Sequence, residues 1–96
     1  MNVQFLPPAD LELKAAVEYY EDQLQGLGAA FYDEVIKAAD YISRFPEGWQ
    51  KIGKNTRKFI LKRFPYLLLY IYEDNNIFIT AVAHQHRNPD YYIDRI

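Results

Sequence analysis

The chain has 96 residues, half of them hydrophobic, with nine tyrosines, six phenylalanines and one tryptophan. That is enough for one buried core and too little for two, so residues 1–96 are expected to form a single domain. The absence of cysteine excludes disulfides and thiolate metal sites, and a net charge of −2 with a pI near 5.6 speaks against a strongly basic nucleic-acid binder.

The opening "MNVQFLPPAD" has neither the basic nor the apolar region of a signal peptide. The longest apolar run, "FPYLLLYIY" at 64–72, falls well short of the roughly 20 residues a membrane helix needs. A cytoplasmic domain with no membrane partner is expected. Charge divides along the chain, with acids dominating residues 1–48 and bases dominating 49–96, which predicts one acidic and one mildly basic surface.

Val3 and Phe5 alternate with polar neighbours, predicting a short strand that Pro7 and Pro8 end. Leu13, Ala16, Val17, Tyr20 and Leu24 then form one helical stripe, with Asp10 and Glu12 complementing the dipole of its first turn. "QGLG" at 25–28 breaks that helix, and Gly26 is free to adopt the left-handed conformation. A second stripe runs through Phe31, Val35, Ala38, Ala39, Ile42 and Phe45 to Pro46, so an antiparallel helical hairpin is predicted.

Residues 47–56 read as irregular or as a short edge strand. "RKFILKRF" at 57–64 reads as a strand, and "YLLLYIY" at 66–72 as one buried on nearly both faces. "EDNN" at 73–76 predicts a four-residue hairpin loop, after which "IFITAVAH" at 77–84 returns antiparallel. The order β-α-α-β-β-β makes an α+β fold, a helical hairpin packed on a mainly antiparallel sheet. Leu13, Val17, Tyr20, Leu24, Phe31, Val35, Ala39 and Ile42 are expected to pack on Leu69, Ile71, Ile79 and Ala81.

"AVAHQHRNPDYY" at 81–92 changes from apolar strand to polar cluster, and Asn88-Pro89 must stop the strand. If the strand runs that far, His84 and His86 share a face with Phe78 and Val82. An H-x-H pair suggests a metal, but no third or fourth ligand stands at a recognisable spacing, so no metal and no cofactor are expected. Acid–base work by the histidines is as well supported by residue type as a hydrogen-bonded strand end. Lys51, Lys54, Arg57, Lys58, Lys62 and Arg63 could meet nucleic acid, but a solvated sheet edge is the better explanation at this pI. Most of Tyr19, Tyr20, Tyr32, Tyr41, Tyr66, Tyr70 and Tyr72 are expected in the core.

"YYEDQLQGLGAAFYDEV", a later "FP", "RFPYLLLYIY" and "AVAHQHRNPDYYIDR", in that order, resemble the ParE branch of the RelE/ParE toxin superfamily. These are the toxins of bacterial type II toxin–antitoxin pairs, and the resemblance implies the β-α-α-β-β-β fold. It also implies a cognate antitoxin as partner, docked by a helix or extended segment on exposed apolar surface. RelE-like members cleave messenger RNA on the ribosome, whereas ParE-like members poison DNA gyrase.

Two arginines of RelE fall on Leu67 and Gln85 here, and its C-terminal tyrosine falls on Tyr91. Losing one transition-state charge contact costs about 3 kcal/mol, so losing two disfavours RelE chemistry. The resemblance therefore implies a toxin that binds gyrase through His84, His86, Arg87, Tyr91, Tyr92 and Arg95. The alternative is a ribosome-dependent mRNA endonuclease with His84, His86, Arg87 and Tyr91 as catalytic candidates, since some ribosomal nucleases of the superfamily use a histidine and a C-terminal tyrosine. A third reading is an inactive toxin-like module that only binds antitoxin.

Overall fold

The computed structural model describes residues 2–96. Strand β1 (Asn2–Phe5) leads into α1 (Ala9–Gln23) and α2 (Leu27–Arg44). Strands β2 (Thr56–Ile60), β3 (Tyr66–Glu73) and β4 (Asn76–His84) follow, and 3-10 turns at Pro89–Tyr91 and Ile93–Arg95 end the chain. The four strands form one sheet in the order β1-β4-β3-β2. The β1–β4 pair is parallel and the other two pairs are antiparallel, so the predicted α+β arrangement is present with one parallel edge.

The turn between the helices rests on two glycines and one carboxylate. Gly26 takes a φ of 89°, the left-handed region that favours glycine. Glu21, near the end of α1, accepts the N–H groups of Gly26 and Gly28 at 3.0–3.1 Å, and so supplies the acceptor that α2 lacks at its own N-terminus. Gly28 is buried against α1: a Cβ there would lie 2.6 Å from the carbonyl oxygen of Val17. Close helix–helix approach at this point therefore requires glycine.

The helices bury one side of the sheet. Ala9, Ala16, Phe31, Val35, Ala38 and Ile42 pack with Leu68, Tyr70, Ile77, Ile79 and Val82. Phe31 is fully buried, with its ring 5.0–5.2 Å from those of Tyr20, Phe64 and Tyr66. Tyr70 is also fully buried, and its hydroxyl donates to Pro46 O at 2.7 Å. Burial pushes that phenol up to about 12.

Several expectations are corrected. Leu69 and Ala81 lie on the opposite face of the sheet, in a second cluster with Leu67, Ala83 and Tyr92. Half-buried Ile71 shares their parity on β3. The reason lies in β4, where Leu69 pairs with Ala81 but Tyr70 with Ile79, leaving Thr80 as a bulge. The extra residue reverses the alternation, so Ile77 and Ile79 face the helices together with Val82, and Phe78 does not.

Leu24 is 64% exposed because the helix ends at Gln23 and Leu24 is already extended; Phe45, the cap of α2, is likewise exposed. Strand β2 ends at Ile60, four residues before the predicted Phe64, and a turn carries the chain into β3. The hairpin loop is shorter than four residues. Glu73 pairs with Asn76, and only Asp74 and Asn75, at φ 51° and 65°, make the turn. Asp and Asn are the non-glycine residues that best tolerate this primed geometry. Tyr19, Tyr32 and Tyr41 stand exposed and not in the core.

Candidate functional site

Strand β1 accompanies β4 only as far as Ile79, whose carbonyl accepts the N–H of Leu6 at 2.9 Å. Beyond it the edge of β4 would present bare backbone groups, which are costly to bury unpaired. Side chains take them. Glu12 Oε1 accepts the Val82 N–H at 3.0 Å, and Arg95 donates to Thr80 O at 3.0 Å. The two side chains also form a two-toothed ion pair, both bonds 2.9 Å long, between α1 and the segment 85–96.

Burial pushes the Glu12 carboxyl upward, but hydrogen bonds from Arg95, Tyr91 and Val82 outweigh it and leave its pKa below the ordinary 4.5. The same carboxylate, as hydrogen-bond acceptor, holds the Tyr91 phenol above its ordinary value, and burial adds to this.

The predicted polar cluster divides. His84 closes β4 opposite Tyr66, with the rings edge to face at 5.3 Å. The strand stops there and the Arg87 N–H bonds back to His84 O at 3.0 Å, so His84 and His86 do not share a strand face. Instead the His86 N–H donates to His84 Nδ1 at 3.1 Å, and the two rings lie 5.4 Å apart. The Arg87 guanidinium sits 3.8 Å from the centre of the Tyr91 ring, a close cation–π contact.

A cleft of about 210 Å³ lies between α1 and the end of β4, and His84, Arg87 and Tyr91 line it together with Glu12, Tyr19 and Tyr66. Burial raises the Tyr66 phenol above its ordinary value; the charge of Tyr19 adds to this and that of Arg87 opposes it.

The remaining predicted residues are placed differently. Tyr92 is buried at 9% exposure in the cluster on the far face of the sheet, so its ring does not reach solvent as a contact residue would. Arg95 is engaged by Glu12 with 18% of its side chain exposed. Among the described residues no three of His, Cys, Asp and Glu gather as a metal site.

The basic stretch 51–63 is partly structural, since Arg57 donates to Glu47 O and Trp49 O. Leu67 and Gln85 are also accounted for: Leu67 is buried beside Tyr92, while Gln85 donates to Tyr66 O at 3.4 Å.

Sequence reasoning missed Glu12, Tyr19 and Tyr66 as parts of the site. For Glu12 a signal existed. It stands four residues before Ala16, on the side of α1 that faces the protein, where a lone carboxylate implies a partner.

Two helices against a four-stranded mixed sheet, with a folded segment after the last strand, define a small α+β module of a type shared with solved toxin structures. A profile described as "ParE toxin of type II toxin-antitoxin system, parDE" matches residues 3–89, and the chain belongs to that family. A chain of the chromosomal ParDE toxin–antitoxin system from P. aeruginosa aligns with a TM-score of 0.76 at 14% identity, covering 88% of this chain and 95% of that one. The isolated E. coli RelE toxin aligns at 0.67 and 19% identity, covering 98% and 94%. An E. coli RelE mutant in complex with a RelBc antitoxin peptide aligns at 0.66 and 16%, covering 99% and 93%. At these identities the structures support the fold. No curated protein matches the chain significantly. Among the described residues no helix is long and apolar enough to cross a membrane.

Proposed function

We propose that this ParE-family toxin acts by binding host DNA gyrase, and that the contact surface is His84, His86, Arg87 and Tyr91. The observation that carries the reading is the fate of the two positions where RelE keeps arginines. Leu67 is buried on the far side of the sheet from the cleft, and Gln85 is tied to the backbone of Tyr66. Of the two guanidinium groups near Tyr91, Arg95 is already neutralised by Glu12, which leaves Arg87 alone. One cation is a poor clamp for a phosphoryl transition state, but an exposed Arg on a Tyr ring is a common binding hot spot.

A cognate antitoxin is the second partner. Tyr41, Phe59, Ala38 and Leu61 line a shallow groove between α2 and the end of β2, none of them part of the cleft, and Tyr41 is exposed there, which suits a docked helix or extended segment. Neutralisation by such a segment is part of the proposal.

Purified protein incubated with gyrase and plasmid should accumulate cleaved DNA–gyrase complexes. Arg87→Ala should weaken gyrase binding by about 2 kcal/mol, roughly thirtyfold in Kd. The ribosome-dependent mRNA endonuclease remains the second reading, because His84, Arg87 and Tyr91 line one cleft. Messenger RNA cut on intact ribosomes, with cutting abolished by His84→Ala or Tyr91→Phe, would establish that reading and reject the first.

A further inference from the structure

The segment 85–96 carries Arg87 and Tyr91, yet it has little regular structure of its own. After Gln85, whose N–H donates to Pro65 O at 2.7 Å, its backbone bonds are local: Tyr91 N–H to Asn88 O, Tyr92 N–H to Pro89 O and Arg95 N–H to Tyr92 O, all 2.9–3.0 Å. Short 3-10 turns are weak by themselves. Gln85 bonds to Pro65 O and Tyr66 O where the segment leaves β4, and beyond it three residues hold the segment to the rest of the molecule. Tyr92 packs on the outer face of the sheet, Ile96 O accepts from Thr56 Oγ1 at 3.3 Å, and Arg95 is gripped by Glu12.

The Glu12 grip differs from the other two because it also completes the sheet. Val82 needs an acceptor and Thr80 a donor at the edge that β1 leaves open, and the pair supplies both. From Arg95 the contact continues outward. Its guanidinium lies 5.1 Å from the centre of the Tyr91 ring, and Arg87 lies 3.8 Å from that same ring.

We propose that Glu12 is a positioning residue for the target-binding surface. By holding Arg95 and Val82 at once, it fixes the segment 85–96 on β4 so that Tyr91 holds Arg87 beside His84. Glu12 borders the same cleft with only 9% of its side chain exposed, and acts through Arg95 and Tyr91. The function assigned to the surface rests on the gyrase reading above; the fixing of the segment does not.

Two experiments test this, one without any target. Hydrogen exchange of the Tyr91, Tyr92 and Arg95 amides should speed up about tenfold or more in Glu12→Gln, with the amides of α2 and β3 unchanged. The double variant Glu12→Arg with Arg95→Glu restores opposite charges but places a donor at Val82 N–H and an acceptor at Thr80 O. It should therefore leave the segment loose, whereas Glu12→Asp should recover part of the protection. Exchange rising equally across the whole chain, no rise at all, or full protection in the charge-reversed pair would each overturn the proposal.

In the second experiment Glu12→Gln should weaken gyrase binding about tenfold in the wild-type background and less than about twofold in an Arg87→Ala background. Equal losses in both backgrounds would show that Glu12 does not act through Arg87 and would overturn the positioning role. If the wild-type protein fails to bind gyrase, the gyrase reading falls, and the exchange experiment alone decides whether Glu12 fixes the segment.

Discussion

The two faces of the sheet are buried by different means. The inner face is covered by two helices whose apolar stripes recur with helical period, and Phe31, Tyr70 and Ile79 are fully enclosed there. The outer face carries a smaller cluster, Leu67, Leu69, Ala81 and Ala83, closed by the single ring of Tyr92 with Ile52 beside it. What covers the inner face is periodic secondary structure; what covers the outer face is an irregular segment held by an ion pair and a few hydrogen bonds. Three of the four residues proposed to meet a partner, His86, Arg87 and Tyr91, come from this less strongly held segment, in keeping with the tendency of binding elements to sit on less stable parts of a fold.

The largest expected effect tests the inner layer. Phe31→Ala removes a ring that contacts three other aromatics, and should cost about 3–5 kcal/mol, a large part of the stability of a domain this size. Urea denaturation should show the midpoint fall sharply or the protein fail to fold. A loss under about 1 kcal/mol would mean that the helices do not carry the core.

Tyr92→Ala is the matching change on the outer face. It should cost roughly 1.5–3 kcal/mol, and the damage should be local. Amides of 90–96 should lose protection while those of α2 keep theirs. If both variants unfold the whole chain alike, the two layers form one cooperative unit and the contrast drawn above fails.

Acid offers a smaller test of the same layer. Glu12 has a folded pKa below its ordinary 4.5. The stability it contributes is therefore fully present above about pH 4.5 and is lost as pH falls through the lower, folded value. Against wild type, Glu12→Gln should be less stable at neutral pH, and the gap should close as pH falls from the ordinary 4.5 through the lower, folded value. A gap that stays constant down to pH 3 would mean that the ionised carboxylate is not what holds Arg95.

The same contrast explains what could be read in the sequence. Helix positions, the left-handed Gly26 and the order of elements along the chain follow from periodicity and turn chemistry, which are local. The choice of sheet face is not local. Strand β3 is apolar at both parities from Leu67 to Ile71, and the bulge at Thr80 reverses β4, so neither pattern could say which side meets the helices. The site was half legible. His84, Arg87 and Tyr91 announce themselves as polar residues after an apolar strand, and they do line one cleft. Tyr92 and Arg95 stand in the same stretch, but one is buried and the other paired, because a 3-10 turn sends neighbouring side chains in different directions. Glu12 lies 83 residues from its partner and only the folded chain brings them together.

The smallest expected effect separates stripe from structure most directly. Leu24 continues the spacing of Leu13, Val17 and Tyr20, and by pattern alone it belongs to the inner core. Were it there, Leu24→Ala would cost about 2–5 kcal/mol. The helix, however, ends at Gln23, and the N–H of Leu24 makes the last turn's bond to Tyr20 O while the chain swings out toward Gly26. With 64% of the residue exposed there is almost no apolar area to lose. Leu24→Ala should therefore shift stability by no more than about 0.5 kcal/mol, measured as an unchanged urea midpoint beside that of Phe31→Ala. A loss several times larger would place Leu24 inside and extend α1 by another turn. The αα connection drawn here, in which Glu21 reaches over to the N–H groups of Gly26 and Gly28, would then have to be wrong as well.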